Sequence, residues 1–221
     1  MRGLIFDFDG LILDTELPDY HAWQEVYKSY GVSLPLAKWG EIIGGNAESN
    51  FEPHEYLEAL VGMPVDREQI WVARRKSYLN HLENQPILPG VMDYLDEARQ
   101  RGLKLAVASS SPENWVDGHL TRLGLQSFFD VVVTADDVAQ TKPSPELFLL
   151  AAQKLGVDPA ELIVLEDSPN GIKAAKRAHM FAVVVPNSVT EQLDLSAADL
   201  RLNSLAEMPL GDLLVRAEQA R

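Results

Sequence analysis

Short apolar runs alternate along this chain with longer segments in which apolar residues recur at helical spacing. Runs rich in branched aliphatic residues and bounded by glycine or polar residues are typical of strands buried on both faces of a parallel sheet. They lie at Leu4–Phe6, Leu103–Ala108, Val131–Thr134, Leu162–Leu165 and Phe181–Val185, and Leu200–Leu202 is a candidate edge strand. This alternation over short connections predicts an α/β fold with a Rossmann-like, doubly wound parallel sheet.

Helix boundary signals support the same alternation. Ser144 is a candidate N-cap with Pro145 in the first helical position, and Gly156 is the expected stop. Ser168 and Pro169 begin a second helix in the same way. We predict helices over 91–101, 144–156 and 168–178 and, in the stretch that follows the first strand, over 21–30, 51–61 and 67–84.

Residues 15–85 differ from the rest of the chain. They contain almost no β-branched runs, and glycine and proline turns separate their helical patterns. This predicts a helical insertion after the first strand. The expected organisation is an α/β core formed by 1–14 plus 86–221 and a helical cap formed by 15–85, with Pro86 and Pro89-Gly90 at the return to the core.

Composition excludes several classes of function. The 221 residues include no cysteine, which excludes disulfides, thiolate catalysis and cysteine metal sites and makes the cytoplasm the simplest location. No apolar stretch approaches the ~20 residues of a membrane-spanning helix, and we expect no secretory signal because Asp7 follows so early. The net charge of −14 argues against nucleic acid or an anionic membrane as a partner.

Polar residues follow the predicted strands at the points where the strands end. The first strand leads into Asp7 and Asp9, the second into Ser109, the third towards Lys142 and the fourth into Glu166-Asp167. Because the carboxyl ends of parallel strands meet at one edge of a sheet, these groups are expected in one cleft. Hard oxygen ligands in this number suit Mg²⁺, and a hydroxyl and an ammonium suit phosphate oxygens. The pattern predicts metal-assisted phosphoryl transfer.

The same residues carry a resemblance to a known family. The strings Asp7-Phe8-Asp9-Gly10, Val107-Ala108-Ser109, Lys142-Pro143 and Glu166-Asp167-Ser168 stand in the order and at the spacing of the four motifs of the haloacid dehalogenase superfamily. Over essentially its whole length the chain resembles the β-phosphoglucomutase-like phosphatases and mutases, which carry a helical cap after the first motif. Each motif alone is weak, but four in register are specific.

The resemblance implies a role for each motif residue. Asp7 would attack phosphorus and form an aspartyl-phosphate, and Asp9 would protonate the leaving oxygen and then deprotonate the attacking water. Ser109, Ser110 and Lys142 would hold the phosphoryl oxygens. The implied Mg²⁺ ligands are Asp7, the Asp9 carbonyl, Glu166 (directly or through water) and Asp167.

Structural roles are the alternatives for these residues. An acidic pair also opens calcium loops, but here the sixth loop position would be Ile12 instead of glycine. Ser109, Ser110 or Ser111 is a candidate helix N-cap, and Lys142 a candidate surface lysine. Acids favour helix N-termini, so Glu166-Asp167 would also suit the start of the next helix, a role compatible with metal binding.

The substrate-facing residues of the cap stay open at this point. His21, Trp23 and the Gly44-Gly45-Asn46 turn are candidates, although a lone histidine or tryptophan on a helix more often packs internally. The run Arg74-Arg75-Lys76 could bind a second anionic group, although a basic run on a helix is usually a solvated face.

Three functions from two classes compete. A phosphatase acting on a small sugar or polyol phosphate is favoured over a β-phosphoglucomutase, because Asp19 stands where the mutase pattern has histidine and the loop Ile43–Glu48 lacks lysine and arginine. A dehalogenase needs neither the second acid at Asp9 nor Mg²⁺. The non-enzyme alternative is a phosphometabolite-binding protein with a vestigial site. The family suggests a monomer.

Overall fold

A six-stranded parallel sheet in the order β3-β2-β1-β4-β5-β6 forms the centre of the computed structural model, which describes residues 1–39 and 51–220. The central strand β1 is paired on both sides, so that Leu4 lies opposite Leu105 and Ile163. The strands are β1 Gly3–Phe6, β2 Lys104–Ala108, β3 Val131–Val133, β4 Leu162–Glu166, β5 Phe181–Val184 and β6 Leu200–Arg201. The predicted fold class and the predicted strands are confirmed.

The helices lie between the strands and after the last of them. In the described part of the chain they are α1 Glu16–Ser29, α2 Leu36–Trp39, α3 Pro53–Val61, α4 Arg67–Glu83, α5 Val91–Gln100, α6 Glu113–Leu123, α7 Glu146–Leu155, α8 Pro169–Arg177 and α9 Leu210–Gln219. Several predicted starts differ: α1 begins at Glu16 instead of position 21, and α3 begins at Pro53 instead of position 51. Helices α2, α6 and α9 were not predicted. The N-cap of α7 is Pro145 instead of Ser144, whose hydroxyl accepts a 3.4 Å hydrogen bond from the Glu146 amide. Gly156 ends α7 in the left-handed conformation, as expected.

The two faces of the sheet carry separate apolar layers. Side chains alternate along a strand, so Leu4 and Phe6 of β1 pack on one face against α5, α6 and α9, while Ile5 packs on the other against α7 and α8. Both layers are fully buried at β1. This explains why the strand sequences are apolar throughout instead of alternating.

Helices α1 to α4 share a third apolar cluster of their own. Trp23 and Tyr27 of α1 pack there with Leu57 of α3 and Ile70 of α4. Trp23 is therefore a packing residue. Val189, from the loop after β5, is buried in the same cluster and joins it to the sheet. No helix within the described ranges is both long and apolar enough to cross a membrane.

Candidate active site

A cleft of about 550 Å³ opens at the carboxyl edge of the sheet, between the strand ends and helices α1 and α4. The β1 end supplies Asp7 and Asp9, and the β4 end supplies Glu166 and Asp167. The structure brings the sequence-predicted residues together here: Asp7, Asp9, Ser109, Ser110, Lys142, Glu166 and Asp167 all line this cleft.

Three buried carboxyl groups form the floor of the cleft. Asp7, Glu166 and Asp167 place oxygen atoms within 4.8 Å of one another. Lys142 lies among them: its ammonium group donates to Asp7 Oδ1 and, at 2.6 Å, to Glu166 Oε1. The lysine side chain is 6% exposed, so Lys142 is a buried partner of the acids and not a surface lysine.

The protein's own charges do not balance in this cluster. Burial, and then the charge of Glu166, raises the pKa of Asp7 to about 8 although Lys142 lowers it. Burial and the charges of Glu166 and Asp7 also raise the pKa of Asp167. Burial opposes the charge of Lys142, yet Asp7 and Glu166 raise its pKa. One ammonium among three carboxylates leaves a requirement for positive charge that a divalent cation with oxygen ligands satisfies.

Backbone geometry sets the position of each acid. Glu166 Oε2 accepts hydrogen bonds from the Asp167 and Ser168 amides and from the Ser168 hydroxyl, at 2.9–3.1 Å. The Ser168 hydroxyl in turn caps α8 by accepting from the Gly171 amide. A Cβ atom at Gly171 would lie 1.8 Å from Glu166 Cδ, so only glycine fits below this carboxylate.

Gly10, in the loop after β1, also leaves room for a carboxylate. It has a φ of +79°, and a Cβ atom there would lie 2.3 Å from Asp167 Oδ2. The same Asp167 oxygen accepts a 2.7 Å hydrogen bond from Asn187 Nδ2. Asp14 accepts from the Leu17 amide and so orders the loop that leads into α1.

The Asp9 carboxylate is held by three donors. Oδ2 accepts from Ser111 Oγ at 2.6 Å and Ser109 Oγ at 3.3 Å, and Oδ1 accepts from Trp115 Nε1 at 2.9 Å. The N-cap of α6 is Pro112, without a side-chain capping bond. None of the three serines is therefore the N-cap of α6.

Helices α1 and α4 form the opposite wall. Arg74 pairs with Asp19, with Nε donating to Oδ1 at 2.9 Å, and Arg75 lies beside it in the cleft. Arg74 and Arg75 are half-buried in the cleft wall, whereas Lys76 is exposed. Burial, and then the charges of Asp9 and Asp19, raises the pKa of Glu16, another lining residue, to about 8.

His21 and Trp23 do not line the cleft. His21 is exposed on α1, where its ring centroid is 5.7 Å from that of His81. The Gly44-Gly45-Asn46 turn and the loop Ile43–Glu48 lie outside the described residues.

Several residues that line or support the cleft were not predicted as site residues. Asn187 follows β5, so the strand-end rule could have identified it. Ser111 was considered only as a helix cap, and no sequence motif or spacing pointed to Glu16. Trp115 reaches Asp9 from α6 across 106 positions of sequence, and no local signal indicates that contact.

Comparison with known proteins decides the family. Residues 4–185 match the family model described as haloacid dehalogenase-like hydrolase. The chain belongs to this family. Structural neighbours include β-phosphoglucomutase from Clostridium difficile, with a TM-score of 0.73 and 26% identity over 100% of this chain and 98% of that one. The predicted resemblance to β-phosphoglucomutase-like members is confirmed.

Curated relatives cover nearly all of the chain. The Bacillus subtilis protein YhcW is 50% identical over 214 residues, 97% of this chain and 96% of the relative. Hexitol phosphatase B of Escherichia coli K12 is 33% identical and covers 95% of each chain. Fructose-1-phosphate phosphatase YqaB of the same organism is 36% identical over 83% of this chain and 95% of the relative. The predicted enzyme class, a haloacid dehalogenase-like phosphoric monoester hydrolase, is confirmed.

Proposed function

We propose that this enzyme is a Mg²⁺-dependent phosphatase that hydrolyses small sugar or polyol phosphates through an aspartyl-phosphate. The observation that carries the proposal is the buried cluster in which Lys142 bridges Asp7 and Glu166 beside Asp167. A lysine buried between acids holds a carboxylate in place and meets the negative charge of an incoming phosphoryl group. A structural ion pair would not require the open cleft above it.

Asp7 and Asp9 divide the chemistry between them. An Asp7 carboxylate oxygen attacks phosphorus, the bond from phosphorus to the ester oxygen breaks, and Asp9 gives its proton to the departing oxygen. In the second half, Asp9 takes a proton from the water that attacks the aspartyl-phosphate, which releases phosphate and restores Asp7. General acid and base catalysis of this kind contributes typically ~10²–10⁴-fold.

Mg²⁺ fits the donor set at the floor of the cleft. We assign Asp7, Asp167 and the Asp9 carbonyl as its ligands. Glu166 is assigned a role through water, because both of its oxygens already accept hydrogen bonds from protein groups. A bound Mg²⁺ would neutralise charge on the transferring phosphoryl group. Ser109, Ser110 and Lys142 are assigned to the phosphoryl oxygens.

The opposite wall favours a substrate with hydroxyl groups. Glu16 and Asp19 offer acceptors for hydroxyl hydrogens, and the charge of Arg74 is already paired with Asp19. The pairing commits one arginine of this wall to an acid of the protein, which suits a neutral polyol better than a second phosphate. The relatives named as hexitol and fructose-1-phosphate phosphatases support this substrate class.

A phosphosugar mutase is the second candidate. It is favoured by the structural similarity to the Clostridium difficile β-phosphoglucomutase. It is opposed by the pairing of Arg74 with Asp19, because a mutase must hold a bisphosphate and needs cations free for the second phosphate.

We also propose that residues 15–85 act as a cap on the core formed by 1–14 plus 86–221, with hinges near 15–18 and 85–89. The separate apolar cluster of α1 to α4 supports this division. We propose a cytoplasmic enzyme, which the absence of cysteine supports, and no nucleic acid or membrane partner, which the net charge of −14 supports. We also propose that it is a monomer, as the family suggests.

Phosphate release from a panel of phosphorylated metabolites tests the proposal. Each reaction is run with Mg²⁺ and with EDTA, and Asp7→Asn is the blank, since an amide of the same size cannot form the aspartyl-phosphate. We expect metal-dependent release that is lost in the blank. Isomerised sugar phosphate in place of free phosphate would identify a mutase, and neither product would indicate a phosphometabolite-binding protein.

A further inference from the structure

We propose that Trp115 positions the Asp9 carboxyl group and couples its orientation to helix α4. The inference rests on the proposed function, in which Asp9 is the acid and the base. Trp115 lies in the first turn of α6, and its Nε1–H donates to Asp9 Oδ1 at 2.9 Å. A tryptophan at this place is not one of the motif residues, and the contact joins two segments distant in sequence.

The chemistry of the donor determines which Asp9 oxygen carries the proton. An indole N–H can only donate, so Oδ1 must remain an acceptor whether Asp9 is ionised or protonated. Serine hydroxyls both donate and accept, and Ser109 and Ser111 contact the other oxygen, Oδ2. The proton of Asp9 is therefore directed to Oδ2, the oxygen beside the serine assigned to the phosphoryl group.

The rest of the indole is held by residues of α4. The Tyr78 ring stacks on Trp115 with centroids 5.8 Å apart and planes 13° from parallel, and the Arg75 guanidinium lies 5.7 Å from the indole centroid. On the core side, the His119 ring packs edge-on at 4.3 Å. Trp115 therefore touches the acid with its N–H group and α4 with its ring, and a change in the position of α4 changes the support of Asp9.

Trp115→Phe isolates the N–H group, because phenylalanine keeps an aromatic ring against Tyr78. An alkyl phosphate needs a proton on its leaving oxygen, whereas p-nitrophenyl phosphate releases a stable anion without one. We expect kcat for a hexitol phosphate to fall about 10-fold or more, since a mispositioned acid loses part of a ~10²–10⁴-fold contribution. The burst of p-nitrophenolate and the KM should stay near the wild-type values.

Two companion variants separate positioning from folding. Trp71→Phe makes the same change at a tryptophan that is 57% exposed on α4, and it should leave both substrates unaffected. Tyr78→Leu keeps the indole N–H group but removes the stack, and it should reproduce the selective loss on the alkyl phosphate. An equal fall in the p-nitrophenolate burst and in kcat for the hexitol phosphate, or no fall in either, would overturn the positioning role. The burst is the readout for p-nitrophenyl phosphate because the second half-reaction needs Asp9 as base for both substrates. A wild-type enzyme inactive on both would instead overturn the proposed function.

A spectroscopic measurement tests the contact without turnover. In protein labelled with ¹⁵N at tryptophan, the indole N–H resonance that disappears in Trp115→Phe is assigned to Trp115. We expect Asp9→Asn to shift that resonance, because the donor then faces a neutral amide instead of a carboxylate. An unshifted resonance would overturn the proposal.

Discussion

Asp167, a proposed metal ligand, shows how a carboxylate depends on a residue that supports it. Asn187 donates to its Oδ2 at 2.7 Å, and Asn187 Oδ1 accepts from the Val189 and Thr190 amides, which holds the asparagine in place. A ligand oriented in this way binds metal without paying for its own ordering. Partners of this kind are often as important to a metal site as the ligands themselves.

We expect Asn187→Ala to weaken Mg²⁺ binding by about 10–100-fold, the usual effect of losing a supporting hydrogen bond. The measurement is the Mg²⁺ concentration that gives half-maximal phosphate release. Asn80→Ala, at an exposed asparagine on α4, is the control and should leave that concentration unchanged. Equal Mg²⁺ requirements in both variants would contradict the role of Asn187.

Protons and metal compete for the same carboxyl groups. The pKa of Asp7 is raised from 3.8 to about 8, so the folded protein holds a proton that the unfolded chain releases at lower pH. This contribution to stability is present below the unfolded pKa and is lost as the pH rises through about 8. Bound metal replaces the proton, so Mg²⁺ should bind more tightly as the pH rises.

The expected result is a larger increase in Tm on adding Mg²⁺ in place of EDTA at about pH 9 than at about pH 6. Thermal unfolding at several Mg²⁺ concentrations measures it directly. An increase that is no larger at the higher pH would show that Asp7 is already ionised in the folded protein at about pH 6.

At the scale of elements, the N-terminus of helix α8 forms the side of the cleft that we propose binds the metal. Its N-cap Ser168 and its close approach to Glu166 both depend on local sequence: serine followed by proline begins the helix, and Gly171 leaves room for the carboxylate. The sequence did not identify Gly171 as a required glycine, because the Glu166 carboxylate that lies against it is brought there only by the fold.

Two glycine substitutions should therefore have opposite effects. Gly171→Ala places a methyl group where Glu166 lies, so we expect a loss of about 1–3 kcal/mol in the free energy of unfolding and little remaining phosphatase activity. Gly118→Ala, within α6, meets nothing within 4 Å, so it should increase stability by roughly 0.5–1 kcal/mol without loss of activity. Urea denaturation of both variants measures the difference, and a stabilising Gly171→Ala would contradict the packing.

The whole molecule places a helical wall above a polar floor, and a substrate must pass between them. Glu16 and Tyr78 of the wall line the same cleft as Asp7. Closure of such clefts expels bulk water and strengthens the electrostatic interactions inside them. If residues 15–85 form the proposed cap, movement about hinges near 15–18 and 85–89 would open and close the cleft.

We expect small-angle scattering to show a smaller radius of gyration with Mg²⁺ and inorganic vanadate, a phosphate analogue, than with Mg²⁺ alone. The same additions to Asp7→Asn, whose floor no longer offers the nucleophile carboxylate, provide the control and should give a weaker change. Identical scattering of the wild-type protein under the two conditions would argue against cap closure.

The sequence by itself determined the parallel sheet, six of the nine described helices, and the group of residues at the strand ends. These follow from local periodicity, from capping residues such as Ser168 and Gly156, and from the rule that parallel strands end at one edge. Each of these signals depends on residues close together in the chain, and so a single sequence contains them.

Only the tertiary structure decided how the site is completed. It brought Trp115 to Asp9, Asn187 to Asp167 and the Arg74–Asp19 pair to the cleft wall. It also showed that Arg74 and Arg75 line the cleft, although a basic run on a helix usually forms a solvated face. Such contacts depend on how helices pack against the sheet, because distances between side chains far apart in the chain are set by the shapes of all the layers between them.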